Sequence, residues 1–247
     1  MIQKYALLFF MLPFYMLAQK PIETDRPDQT ETAAIVPTGM FQSETGFLHK
    51  KTAPHASEFQ LPETLWKFGL NEHLELRLIT TLLYSKAADS SALGLDPVTI
   101  GLKVNLLKEH GLLPETSLIV HMQLPKVATK KFQSEYLTPE IRLLFQNKVS
   151  SSLDLGYNLG VSWDGETPQP EYAYTISPDF KLSSTISAYI EAFGYLPSHK
   201  HADHWIDGGL KYLITKNVQL DISGGYELSS HQTHQQFYEA LGVSLRI

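Results

Sequence analysis

Leu74-Glu75-Leu76-Arg77-Leu78, carried on by Leu82 and Tyr84, sets apolar side chains on one face of an extended chain and Glu75 and Arg77 on the other. Successive side chains of a strand point to opposite faces, so a period of two separates the two kinds completely. Helical spacing would scatter the charges among the leucines. Outward from this stretch the pattern repeats. Val98, Ile100, Leu102, Val104 and Leu106 oppose Thr99, Gly101, Lys103 and Asn105. Leu153, Leu155, Tyr157, Leu159, Val161 and Trp163 oppose Asp154, Gly156, Asn158, Gly160 and Ser162. Val218, Leu220, Ile222, Tyr226 and Leu228 face away from Gln219, Asp221, Ser223 and Glu227.

Twelve such segments follow one another, at 39–49, 59–69, 73–84, 96–107, 114–124, 136–146, 151–163, 171–180, 185–195, 204–213, 218–228 and 236–247. The connections sort by parity. After even-numbered segments they are short, as at Leu70-Asn71-Glu72 and Ile214-Thr215-Lys216-Asn217; after odd-numbered ones they are mostly longer and more polar, as at Ser85 to Leu95, Pro125 to Glu135 and Leu196 to Asp203. An even strand count with short turns at one end and long loops at the other is the pattern of a bacterial outer-membrane barrel. The expected fold is therefore all-β, a single antiparallel transmembrane β-barrel of about twelve strands.

A lipocalin-like barrel and a large sandwich also alternate, but the former turns its apolar face inward. Three features favour the membrane: an apolar leader, strands near the length that crosses a bilayer, and aromatic residues at strand ends. Phe68, Phe145, Phe180 and Tyr212 lie near the short-turn end, and Tyr84, Trp163, Tyr172 and Tyr226 near the long-loop end. The chain finishes on an alternating strand, with Leu241, Val243, Leu245 and Ile247 on one face; outer-membrane barrels usually end so, although on Phe.

Met1 to Ala18, with Lys4 ahead of a short apolar run and Ala18 before Gln19-Lys20-Pro21, reads as a secretory signal peptide, an uncleaved anchor being the alternative. The domain expectation is then signal peptide 1–18, a periplasmic or lumen-inserted segment 19–38, and a barrel over 39–247 in the outer membrane. The 247 residues contain no Cys, which excludes disulfides and cysteine-ligated zinc. A net charge of −6 argues against nucleic acid held by a basic surface. The partners implied are outer-membrane lipid, a small solute and, during biogenesis, the barrel-assembly machinery; no cofactor is called for.

Several stretches together resemble a known family. They are Glu23-Thr24-Asp25-Arg26-Pro27-Asp28-Gln29-Thr30-Glu31, Val36-Pro37-Thr38-Gly39, Phe41-Gln42-Ser43-Glu44-Thr45-Gly46-Phe47, Phe68-Gly69-Leu70-Asn71-Glu72-His73-Leu74-Glu75-Leu76-Arg77, Gly94-Leu95-Asp96-Pro97-Val98-Thr99-Ile100-Gly101-Leu102-Lys103 and Tyr189-Ile190-Glu191-Ala192-Phe193-Gly194. The chain resembles, over almost its whole mature length, the outer-membrane transporters grouped as the MetA-pathway of phenol degradation family. The resemblance implies an outer-membrane barrel and, loosely, passage of small organic compounds, and it carries over no catalytic residue; the expected function is a channel or transporter for small organic solutes, aromatic or apolar ones among them.

Charges that alternate with the apolar face belong in the lumen, because a charge toward hydrocarbon near the bilayer centre costs about 2–4 kcal/mol. The candidates are Glu44, Glu75, Arg77, Lys103, Glu140, Arg142, Asp154, Glu191, Asp207, Lys211, Asp221 and Glu227. They line either a selective pore or a narrow barrel filled by mutually paired side chains, a non-conducting structural or adhesion barrel. Asp25, Arg26 and Asp28, stiffened by Pro27, are candidates for a gate tucked into the barrel mouth; a disordered tail is the alternative. His199, His201 and His204, with His231 and His234, form at most a weak metal pattern, more simply read as solvated loops. No nucleophile motif supports an outer-membrane hydrolase, so no enzymatic role is expected.

Overall fold

The computed structural model describes residues 20–198, 201–228 and 235–247. The leader at 1–18, together with His199, His231 and His234, lies outside the described residues. The strands are β1 (Phe41–Ala53), β2 (Ala56–Asn71), β3 (Leu74–Ala87), β4 (Ser90–Leu95), β5 (Thr99–Leu107), β6 (Glu115–Gln123) and β7 (Thr138–Lys148). They continue as β8 (Leu153–Trp163), β9 (Pro170–Lys181), β10 (Ile186–Pro197), β11 (Asp203–Thr215), β12 (Val218–Glu227) and β13 (Phe237–Arg246). One 3₁₀ turn, Lys130–Phe132, is the only helical element among the described residues.

Apart from β4 and β5, which both pair with β3, every strand pairs antiparallel with its neighbours in sequence, and β1 pairs with β13, so the sheet closes on itself. Pairs β3–β4 and β3–β5 occupy successive lengths of β3, which makes β4 and β5 two pieces of a single stave broken at Asp96-Pro97-Val98. The result is a closed barrel of twelve staves. Closure removes the free edge that an open sheet would present, and lets every mid-bilayer backbone group find a partner.

The described chain begins at Lys20 and ends at Ile247 at one end of the barrel, called here the terminal end. Phe41 N–H donates to the Ile247 carbonyl at 2.9 Å, which seals the first stave against the last. Turns at this end are short, such as 72–73 and 216–217. At the far end two connections differ from the sequence reading: β1 and β2 run on to a turn at 54–55, and β3 and β4 to a turn at 88–89. Pairs such as Lys51↔Ser57 and Lys86↔Ser91 extend the ladders past the apolar face. Antiparallel pairing satisfies the backbone whatever the side chains are, so hairpin arms of polar sequence continue beyond the point where alternation of hydrophobicity stops.

Outward-facing Leu78, Ile100, Leu143, Ile176, Leu210 and Ile222 are exposed, while their sequence neighbours Arg77, Thr175 and Ser223 are buried. This inversion, apolar outside and polar inside, is that of a barrel solvated by lipid.

Candidate functional site

The lumen is occupied by residues 20–38. Pro21, Pro27 and Pro37 lack the backbone donor that a ladder needs, and the segment from Asp25 to Val36 joins no strand. Its backbone groups must nevertheless be paired, and lumen side chains supply the partners. The N–H groups of Asp25 and Arg26 both donate to Glu44 Oε2 at 2.9 Å. Gln29 N–H donates to Glu191, Glu31 N–H to Asn158, and Val36 N–H to Glu75, at 2.8–2.9 Å. In return, Arg142 Nη1 donates to the Gln29 carbonyl at 3.1 Å and Ser117 Oγ to the Ala33 carbonyl at 2.6 Å.

Side-chain charges follow the same division. On the wall made by β1, β2, β3 and β5, the cations Lys67, Arg77 and Lys103 face the carboxylates Glu44 and Glu75, one positive charge in excess. The segment brings Asp25 and Glu31. Asp25 Oδ2 lies 2.8 Å from Lys67 Nζ and 3.1 Å from Arg77 Nη1, and its Oδ1 lies 2.9 Å from Lys103 Nζ. Glu31 takes both its hydrogen bonds from Arg77 Nη2, at 3.0 and 2.7 Å. Burial would lift the Asp25 carboxyl, but Lys103, Lys67 and Arg77 together hold it well below its usual range. Two staves beyond β1 the sign reverses, and Arg26 reaches Asp221 of β12 at 2.9 Å.

Room for Arg26 is made by two glycines. Gly46 of β1 and Gly242 of β13 are cross-strand partners. A Cβ at either would meet the Arg26 guanidinium, at 1.9 Å and 2.4 Å respectively.

The remaining candidates are distributed along the lumen. Asp28 accepts from Ser177 Oγ at 3.0 Å; burial pushes its carboxyl up to about 7, against the pull of Lys211. Asp207 accepts from Tyr238 and Tyr189. Lys211 pairs with Asp179. Glu140 binds Arg142 and His121, the latter at 2.8 Å. Asp154 sits at the terminal mouth with Lys181, 2.6 Å away, and Glu227 near the far end, where it accepts from Gln236 N–H. His204 Nδ1 shares a hydrogen bond with Tyr174 Oη at 2.8 Å, and among the described residues no group of three or more His, Asp or Glu is placed to hold a metal.

Lys67, Glu31 and His121 were not singled out from sequence. Lys67 lies between the outward Trp66 and Phe68, and His121 between Val120 and Met122, so the period of two marks both. Glu31 carries no such mark, because it lies on a segment without period.

Cavities open from both ends and stop at the segment. One of about 550 Å³ at the terminal end is lined by Glu23, Asp28, Glu31, Asp154, Lys181 and Gln219, among others. One of about 280 Å³ toward the far end has Gln29 as its only wall from the segment.

Residues 24–247 match the model of the family described as "Putative MetA-pathway of phenol degradation". The chain belongs to that family. No curated protein matches the sequence. Among solved structures, the COG4313 outer membrane channel from Pseudomonas putida F1 superposes with a TM-score of 0.70 at 10% identity, covering 91% of this chain and 100% of that one. The NanC porin gives 0.61 at 10% identity over 83% and 100% of the two chains. The CymD monoaromatic hydrocarbon channel gives 0.50 at 8% identity over 86% and 89%. At such identities the likeness is one of fold: this member of the family has the barrel architecture of outer-membrane channels and porins.

Proposed function

We propose that this protein is an outer-membrane channel for small organic solutes, with the far end outside the cell, the terminal end in the periplasm, and residues 20–38 as its plug. The observation that carries this reading is the way the segment divides the two cavities. From Asp25 to Val36 it is held by lumen side chains rather than by a strand ladder, so it can leave without breaking the sheet. Family membership and the shared barrel architecture support the same reading. Asp25, Arg26 and Asp28 act in it as the gate, and the lumen charges set which solutes pass once it opens.

Neutralisation of the lumen cations by Asp25 and Glu31 favours a second reading, a permanently closed structural barrel. Single-channel recording in planar bilayers separates the two. The full mature chain should show rare openings, and a variant with residues 20–38 removed should conduct steadily. Absence of conductance from both would overturn the channel reading.

A further inference from the structure

Arg77 of β3 and Glu191 of β10 stand on staves six apart in the ring of twelve, and so do Lys103 of β5 and Asp207 of β11. The cation-rich wall therefore faces a wall of opposite sign. Glu191 and Asp207 are cross-strand partners, both buried and both turned inward. Like charges directly opposite on neighbouring strands are destabilising unless a cation serves them. Among the described residues no ion pair includes either of them, and Lys211, also inward on β11, is taken by Asp179. Asp207 Oδ2 accepts from Tyr189 and Tyr238, but its buried Oδ1 accepts from no described residue. On the far-end side of the pair, Phe193, Trp205 and Tyr238 point inward and form a buried cluster beside the 280 Å³ cavity, so the pair opens toward the plug.

The plug meets the two walls with opposite chemistry. Two consecutive residues bridge them: Thr30 Oγ1 donates to Glu191 Oε1 at 2.5 Å, while the Glu31 carboxylate accepts from Arg77 Nη2 at 3.0 and 2.7 Å and lies 3.7 Å from Lys103 Nζ. Gln29 N–H is a second donor to Glu191. Between the walls, Asn158 of β8 clasps the Glu31 backbone, accepting from its N–H at 2.8 Å and donating to its carbonyl at 3.1 Å. Both bonds to one residue are what an extended chain offers a neighbouring strand. Here a single side-chain amide takes them.

We propose that the lumen, once the plug has left it, binds a short linear peptide with free ends in the place of Gln29-Thr30-Glu31. Its carboxylate takes the position of the Glu31 carboxylate, on Arg77 and Lys103, and its ammonium the position of the Thr30 hydroxyl, beside Glu191 and Asp207. An ammonium brings three donors and a full charge where the plug brings a neutral hydroxyl, and so supplies the Asp207 Oδ1 that the plug leaves without a donor. Asn158 takes the peptide group between the two ends. The run of bonds from Thr30 Oγ1 to the Glu31 carboxyl carbon equals that from the ammonium nitrogen to the carboxyl carbon of a tripeptide, which sets the length. This inference deepens the channel reading and rests on it for the route by which the solute arrives; binding itself requires no conduction.

The test is calorimetric titration of the full mature chain and of its Asp25→Asn variant in detergent, with a micelle blank, at pH 7, where both ends of a free peptide are charged. The probes are trialanine, N-acetyl-trialanine and trialanine amide. Peptide and plug compete for one site, so trialanine should bind Asp25→Asn more tightly than the parent chain. In Asp25→Asn it should also bind at least tenfold tighter than either blocked peptide, since each of those lacks one charged end. Adding Glu191→Gln should bring trialanine level with its acetylated form; heat-modifiable migration on gels shows whether each variant has folded. Heats equal to the micelle blank in both chains would overturn the proposal, as would equal binding of the three peptides or a preference for the free amino end that survives in folded Glu191→Gln. A barrel that conducts without binding trialanine sinks this inference alone, whereas one that binds trialanine but never conducts sinks the channel reading alone.

Discussion

Asp25 and Lys103, 78 residues apart in the chain, meet at 2.9 Å in the interior of the barrel. The carboxylate also contacts Lys67 and Arg77, so one side chain of the plug ties together cations of three different strands. Removing one partner of a buried ion pair costs about 3–5 kcal/mol, because the other is left without compensation. Asp25→Asn should therefore release the plug while the ladders keep the barrel closed. Open probability in planar bilayers should rise at least tenfold, and protease should gain access to residues 20–38. Unchanged conductance and protection would show that Asp25 does not hold the segment.

Gly46 and Gly242 leave the space that the Arg26 guanidinium fills. Gly242→Val should displace Arg26 from Asp221 and loosen the plug without unfolding the sheet, since valine suits a strand. The expected outcome is an urea midpoint near that of the parent together with a several-fold rise in open probability. A closed channel in folded Gly242→Val would mean that the Arg26–Asp221 contact is dispensable.

Asp28, a residue of the plug, is raised by burial from 3.8 to about 7. It faces Ser177 and Asp179 of β9, Glu191 and Tyr189 of β10, and Lys211 of β11. A carboxyl whose value is higher when docked favours docking in its protonated form, so this contribution is complete below 3.8 and is lost as pH rises to about 7. Opening should increase between pH 4 and pH 7, and Asp28→Asn should flatten that dependence. The pH series of open probability checks it; a trend in the opposite direction would refute the assignment.

Lumen and lipid faces should respond differently to charge. Leu78 and Leu143 are exposed on the outer face, next to the inward Arg77 and Arg142. Leu78→Arg or Leu143→Arg should lower stability by about 2–4 kcal/mol if near the midplane, as measured by urea unfolding in a defined bilayer. Arg142→Ala should cost less, since the Glu140 it leaves keeps His121 as a partner. Arg77→Ala should cost more than Arg142→Ala, because it strips Asp25, Glu31 and Glu75 of a shared cation. Equal damage at all four positions would mean that the two faces are misassigned.

How much of this was legible beforehand depends on range. Strand identity, the count of twelve staves and the inward face of Glu75, Arg77 and Lys103 come from a period of two, which is set by bonds within a few residues and is written locally in the sequence. By the same rule the inward Phe193, Trp205 and Tyr238 were marked by their spacing, but nothing local says that three strands bring them to one cavity. Nor does spacing state that the arms around 54–55 and 88–89 keep pairing, because ladders are satisfied by backbone and are indifferent to side-chain polarity. The path of residues 20–38 was decided by the tertiary structure alone. Without period, and with Pro21, Pro27 and Pro37 barring a ladder, the segment takes its conformation from Glu44, Glu75, Asn158 and Glu191, whose positions across the lumen exist only once β1 has closed on β13.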